Sequence, residues 1–177
     1  MNNQVFVLGL GNILCGDDGF GVHCCRILQQ NFSFPDHCTV IDGGTQGQIL
    51  YGIVTEAKRL LILDAANLGL EPGTLAMRRG EDIPAWLSSR KLSAHQSSFA
   101  EVLALASLKG QIPPEMVLIG FQPAGLEFGA KLGEECRKAL PRALDMALEI
   151  LNTWQIEPVP MQHVAADQVS EAVRAFY

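Results

Sequence analysis

The sequence predicts an open three-layer α/β/α sandwich around a mostly parallel, twisted sheet of about five strands, one of them a probable antiparallel edge. Three observations carry that fold class. Four short apolar runs are nearly continuous rather than alternating, the pattern of strands covered on both faces. Segments of helical spacing fall between them, and such alternation leads to right-handed crossovers and a parallel sheet. Polar residues gather just past the ends of the runs, where ligands bind in sheets of this kind.

The first run, Val5-Phe6-Val7-Leu8, leads through Gly9-Leu10 into Gly11-Asn12 and reads as a strand ending in a tight loop. Residues 21–30 follow with Val22, Cys25, Ile27 and Leu28 at partly helical spacing. Thr39-Val40-Ile41 runs into Asp42-Gly43-Gly44, and Leu60-Leu61-Ile62-Leu63 into Asp64-Ala65, as two further strands. Leu70-Glu71-Pro72-Gly73 is a turn signal, so the run from Gly73 to Met77 reads as the edge strand. Residues 93–108 carry Phe99, Val102, Leu103 and Ala106 on a helical face, with two candidate capping boxes, Ser93-x-x-Gln96 and Ser98-x-x-Glu101. Met116-Val117-Leu118-Ile119 is the fourth parallel strand. Residues 132–154 form the longest helical pattern, with Leu140, Leu144, Leu148 and Leu151 on one stripe; Pro141 inside it predicts a kink or a start there. Residues 1–157 are expected to form one domain, and residues 158–177 a tail with a short helix around 167–175.

Composition narrows the function. The chain has 177 residues, 48% hydrophobic and 18% charged, which suits one domain with a large core and excludes a disordered or fibrous chain. A net charge of −6, with 13 scattered basic residues, argues against nucleic acid as a partner. No apolar run approaches the ~20 residues that span a bilayer. Met1-Asn2-Asn3-Gln4 has no basic n-region, so no signal peptide is expected. Five cysteines, odd in number and without a C-x-x-C pair, read as reduced thiols of a cytoplasmic protein.

Chemistry concentrates after the strands. Gly9-x-Gly11-Asn12 and Gly16-Asp17-Asp18-Gly19-x-Gly21 invite comparison with a dinucleotide loop, but the third glycine would fall at Leu14 and two aspartates would face the pyrophosphate. Paired acids suit a cation better, although either could simply cap the next helix. Asp42 and Asp64 stand at two more strand ends, and His95 at or near a helix start, where the dipole favours the neutral imidazole that binds metals. Two carboxylates and an imidazole from different strand ends could form a three-ligand site for zinc or nickel, and composition does not choose between them. No H-E-x-x-H or G-x-S-x-G motif is present. Cys15 lies beside carboxylates, the opposite of the electropositive setting a reactive thiolate needs, and Cys24-Cys25 reads as helix packing. His23, His37 and His163 have no partner at a ligand-like spacing.

These motifs, together with Asp42-Gly43-Gly44-Thr45, Leu61-Ile62-Leu63-Asp64-Ala65, Glu71-Pro72-Gly73-Thr74, Ser93-x-His95-Gln96 and Gly120-x-Gln122-Pro123, resemble the hydrogenase maturation endopeptidases. The resemblance spans about residues 4–153 and is nearest to the subgroup serving uptake-type nickel–iron hydrogenases. It implies an aspartyl-type endopeptidase that removes a short C-terminal peptide from the hydrogenase large-subunit precursor once nickel has been inserted. Carried over by position, the metal-contacting trio is Asp18, Asp64 and His95, and Asp42 would shape the cleft or position the scissile segment. The nickel would arrive with the substrate, the resting enzyme being metal-free, and the working form would be a monomer without membrane insertion. The metal would act as a Lewis acid, or would only position the peptide while a carboxylate acts as base. Two other readings stand beside this one: a nickel-sensing chaperone that does not cut, and a hydrolase with its own zinc.

Overall fold

The apolar runs become the strands of one sheet. In chain order the elements are β1 (Val5–Leu10), α1 (Phe20–Asn31), β2 (Phe32–Ser33), β3 (Cys38–Gly44), α2 (Tyr51–Glu56), β4 (Arg59–Ala65), β5 (Leu75–Arg79), α3 (Ile83–Ser89), α4 (Ala94–Leu108), β6 (Glu115–Phe121), α5 (Glu134–Thr153) and β7 (Val159–Pro160). Two 3₁₀ turns, Gly16–Gly19 and Gly47–Leu50, precede α1 and α2. The computed structural model describes residues 4–80, 82–89 and 94–161, without the side chains of residues 86, 88, 89 and 94–97. The helix expected around 167–175 and the Ser93 capping box lie outside the described residues.

The five-stranded sheet has the order β3-β1-β4-β6-β5, with β1, β3, β4 and β6 parallel and β5 antiparallel on the edge beside β6. Successive strand residues point to opposite faces. Val5 and Val7 of β1 therefore join one core with α1 and α5, while Phe6, Leu8 and Leu10 join the other with α2, α3 and α4. Along the central strands β1, β4 and β6 both faces are buried, and for that reason their runs show no alternation. Each fully buried Leu or Val contributes roughly 1.5–3 kcal/mol.

Several local expectations change. The edge strand sits at Leu75–Arg79, two residues later than the turn signal suggested. α4 begins at Ala94, so Ser98 lies inside it and does not cap it. α5 does not start at Pro141 but at Glu134, and it runs unbroken to Thr153. A proline inside a helix costs about 3 kcal/mol, which burial of Leu140, Ala143, Leu144, Ala147 and Leu151 offsets. α2 and α3 have no counterpart in the sequence reading, and neither does the two-residue pairing of β2 with β7, Phe32 opposite Pro160 and Ser33 opposite Val159.

All five cysteines are free thiols, four of them buried. Burial pushes the Cys24, Cys25 and Cys136 thiols far up, and the Cys38 thiol up to about 12, so these sulfurs serve as packing atoms. Among the described residues, no helix is long and apolar enough to cross a membrane.

Candidate active site

The polar residues singled out after the strands meet at the carboxyl edge of the sheet. β1 is flanked by β3 and β4, and the connections leaving it change direction there, the place where open α/β sheets hold their ligands. The glycines of the first loop work sterically. A Cβ on Gly21 would lie 1.9 Å from the Leu63 carbonyl oxygen, and one on Gly9 would lie 2.2 Å from that of Gly21. Without those atoms the start of α1 rests directly on β1 and β4. Phe20 stacks on Phe121 of β6, centroids 4.9 Å apart, and fixes that approach. Gly11, at φ +131°, lets the Asp18 carbonyl oxygen come to 1.8 Å from where a Cβ would stand.

This crowding places Asp18. It is 2% exposed, and its Oδ2 accepts the Asn12 N–H at 3.0 Å. Asn12 Oδ1 in turn accepts the Leu14 N–H, so the asparagine of the motif shapes the loop at both ends. Asp64, 0% exposed, is the penultimate residue of β4 and continues the Leu60–Ile62 row on the face covered by α4. Its register neighbour on β6 is Gly120, which adds no side chain beside it. His95 is the second residue of α4; its side chain lies outside the described residues. One turn further on, Ser98 packs so closely on Gly47 that a Cβ there would meet its Oγ at 2.0 Å. The first turn of α4 is thereby held against the segment that follows β3. Among the described residues, no three His, Cys, Asp or Glu side chains form a cluster able to hold a metal ion.

Asp17 has a different task. Neither it nor Asp18 caps α1, whose N-cap is Gly19 with no side-chain bond. Asp17, 2% exposed, instead accepts the Ala124 N–H at 3.0 Å on Oδ2 and the Gly133 N–H at 2.7 Å on Oδ1. Gly133 is the N-cap of α5, where the helix dipole favours a carboxylate. The Cys136 thiol also bonds to Asp17; burial first, and the Asp17 charge next, drive that thiol up. Main-chain bonds from Gly16 to Ala130 (3.2 Å), Asp17 to Gly125 (3.2 Å) and Gly129 to Leu14 (2.7 Å) complete the joint between the β1 loop and the β6–α5 loop. The Gly16-Asp17-Asp18-Gly19 motif contained this residue, but nothing in it pointed to partners so far along the chain.

Asp42 is exposed and ion-paired. Arg26 of α1 reaches its Oδ2 with Nε at 3.0 Å and with a terminal nitrogen at 2.9 Å. Both line an open cleft of about 390 Å³ with Gly11, Asn12, Ile13, Val22, Gly44, Thr45 and Gln46. His23 of α1 is held below its ordinary pKa by burial first and the Arg26 charge second, against the opposing pull of Asp42. The structure thus places Asp42 in the cleft wall, Asp18 behind it through the bond to cleft-lining Asn12, and Asp64 buried at the end of the neighbouring strand β4, with His95 in the first turn of α4.

A family model described as hydrogenase maturation protease matches residues 22–150. The chain is 45% identical over 158 residues to the hydrogenase expression/formation protein HoxM of Cupriavidus necator, covering 89% of this chain and 78% of that protein. It is 33% identical over 162 residues to the hydrogenase 2 maturation protease of Escherichia coli, covering 91% and 98%. The solved structure of the hydrogenase maturating endopeptidase HybD from Escherichia coli superposes with a TM-score of 0.85 at 33% identity, over 91% of this chain and 99% of that one. With most of its length matched in sequence and in fold, the chain belongs to the hydrogenase maturation protease family and is a peptide hydrolase.

Proposed function

We infer that the protein removes a short C-terminal peptide from the nickel-loaded large-subunit precursor of a nickel–iron hydrogenase, and that Asp18, Asp64 and His95 contact the substrate's nickel. The observation that carries this reading is the withdrawal of two carboxylates, 2% and 0% exposed, to adjoining strand ends of a peptidase-family fold. Carboxylate oxygens and an imidazole are donors that suit a borderline divalent cation such as nickel, and the carboxyl edge of an open α/β sheet is where such folds hold their ligands. The family relationship supports the substrate class.

In this scheme the nickel, held by precursor thiolates, is the recognition element. A precursor without it lacks the contact that distinguishes the two forms, and so binds in the wrong place or not at all. The two carboxylates and the imidazole orient the metal-bearing segment, and the downstream chain runs into the cleft past Asn12 and Thr45. A carboxylate at this edge then activates water against the scissile carbonyl, which the metal polarises.

Mixing the protein with nickel-loaded and nickel-free precursor tests the trigger. Mass spectrometry is expected to show C-terminal shortening of the loaded form only, and none with His95→Ala. Equal loss from both precursors, or stoichiometric zinc in the active protein purified without chelator, overturns the reading.

A further inference from the structure

The cleft beside Asp18 is small for a protein substrate. At about 390 Å³ it lies near the lower end of pockets that hold small ligands. It can take a few residues of extended chain, but not the roughly 800 Å² per partner that a specific protein complex buries. Recognition of a folded precursor needs surface beyond it.

The banks of the cleft carry such surface. Ile13, which lines the cleft, is 40% exposed, Leu14 beside it 55%, and Phe128 81%. Leu14 and Phe128 belong to different loops, yet the Gly129 N–H donates to the Leu14 carbonyl at 2.7 Å, and the Gly16 N–H to that of Ala130 at 3.2 Å. The two loops make one ledge. On the opposite bank, the Ile49 N–H donates to the carbonyl of cleft-lining Gln46 at 3.0 Å, and the Ile49 side chain is 73% exposed. Of the nine large apolar side chains exposed among the described residues, Ile13 lines the opening, Leu14 follows it in the chain, Phe128 precedes the Gly129 that is bonded to Leu14, and Ile49 is bonded to cleft-lining Gln46. Apolar surface gathered at the mouth of a site marks an interaction surface, whereas isolated exposed residues do not.

We propose that Ile13, Leu14 and Phe128, with Ile49 across the cleft, form a docking ledge for an apolar patch on the folded hydrogenase precursor, outside the peptide that is cut. The ledge is continuous with the site, because Asn12, next to Ile13, donates to Asp18. Main-chain bonds already fix it, so docking does not have to order it. This inference rests on the precursor being the substrate.

The test is steady-state processing of nickel-loaded precursor by the full chain. A Leu14→Asp, Phe128→Asp double variant is expected to raise KM about tenfold or more, the effect of losing an interface hot spot, while kcat stays near that of wild type. Phe128→Ser alone gives a smaller rise in the same direction. Leu108→Ser, at an 86% exposed side chain ending α4, leaves KM unchanged. Unchanged KM in the double variant, with wild type active, overturns the ledge alone. If wild type does not shorten the precursor, the substrate reading and the ledge fall together. A wild-type dimer in sedimentation that the double variant breaks, with KM unaffected, makes the ledge a self-interface and also overturns the proposal.

Discussion

Asp17 and Asp64 are the same residue type, sit at the same edge of the sheet, and are 2% and 0% exposed. Their surroundings nonetheless divide the site into two regions. Around Asp17 the protein has committed the carboxylate to its own main chain: each oxygen faces a backbone N–H, and the Cys136 thiol adds a third donor. Around Asp64 and Asp18 close backbone approach sets the position, with Gly120 opposite Asp64 and Gly11 beneath Asp18, whose Oδ2 accepts the Asn12 N–H from the loop that lines the cleft. Burial alone therefore does not identify a working acid. The donors locked onto Asp17, from Ala124 and from the N-cap of α5, give that carboxylate a structural task.

The largest expected effect lies in the second region. Asp64→Asn, which keeps shape and removes charge, should lower precursor processing by about 10²–10³ or more, the scale of losing a group that stabilises charge in the reaction. Asp18→Asn should do the same, because its amide oxygen can still accept the Asn12 N–H. Circular dichroism should show both variants folded, so that the loss reads on function. Processing near the wild-type rate by Asp64→Asn would break the comparison at once.

Asp17→Asn tests the first region and should show the inverse. An amide has one acceptor oxygen, so its NH₂ group must face the N–H of either Ala124 or Gly133, and the Cys136 thiol loses part of its acceptor. Leaving a buried donor unsatisfied costs about 1–3 kcal/mol. For a domain of this size each kcal/mol lowers Tm by roughly 2–4 °C. Calorimetry should show that loss, with kcat at low temperature within a few-fold of wild type. A variant as stable as wild type but inactive would move Asp17 into the chemistry.

The unequal legibility of the two regions has a physical basis. The strands could be read because sheets covered on both faces leave long apolar runs, and the same runs located Asp64 at a strand end and Asp18 in the loop after one, without saying what either does. The role of Asp17 could not. Its partners are main-chain N–H groups 107 and 116 positions along the chain, and a backbone donor leaves no side-chain signature. The same holds for Gly9, Gly11 and Gly21, which looked like a phosphate loop but function by letting backbones touch. α2, of 6 residues, and α3, of 7, are too short to show a period, and the β2–β7 pair of 2 residues each is shorter still. The acidic composition argued against nucleic acid but held no hint of which apolar side chains would be exposed, since exposure is a property of the folded surface.

The smallest expected effect belongs to Asp42 and Arg26, which are more exposed than either region. Their side chains are 31% and 39% exposed, and the ion pair joins α1 to the end of β3 across the cleft floor. Exposed pairs stabilise by about 0–1 kcal/mol and are screened by salt, so Arg26→Ala should shift Tm by at most a few degrees. Its effect on function should be indirect: Asp42 loses the group that fixes its rotamer in the cleft, and KM for the precursor should rise a few-fold while kcat holds. Raising ionic strength should narrow the gap between variant and wild type, because salt weakens the same pair in the intact protein. His23 sharpens the test, since the Arg26 charge helps to hold its pKa down while Asp42 pulls it up. Removing Arg26 should raise the His23 pKa, and removing Asp42 should lower it further, shifts that NMR titration of the imidazole can follow. Opposite signs would confirm that both charges face His23. A fall of kcat by 10² or more in Asp42→Asn, with KM unchanged, would instead place Asp42 beside Asp64 as a group that acts on the reacting atoms.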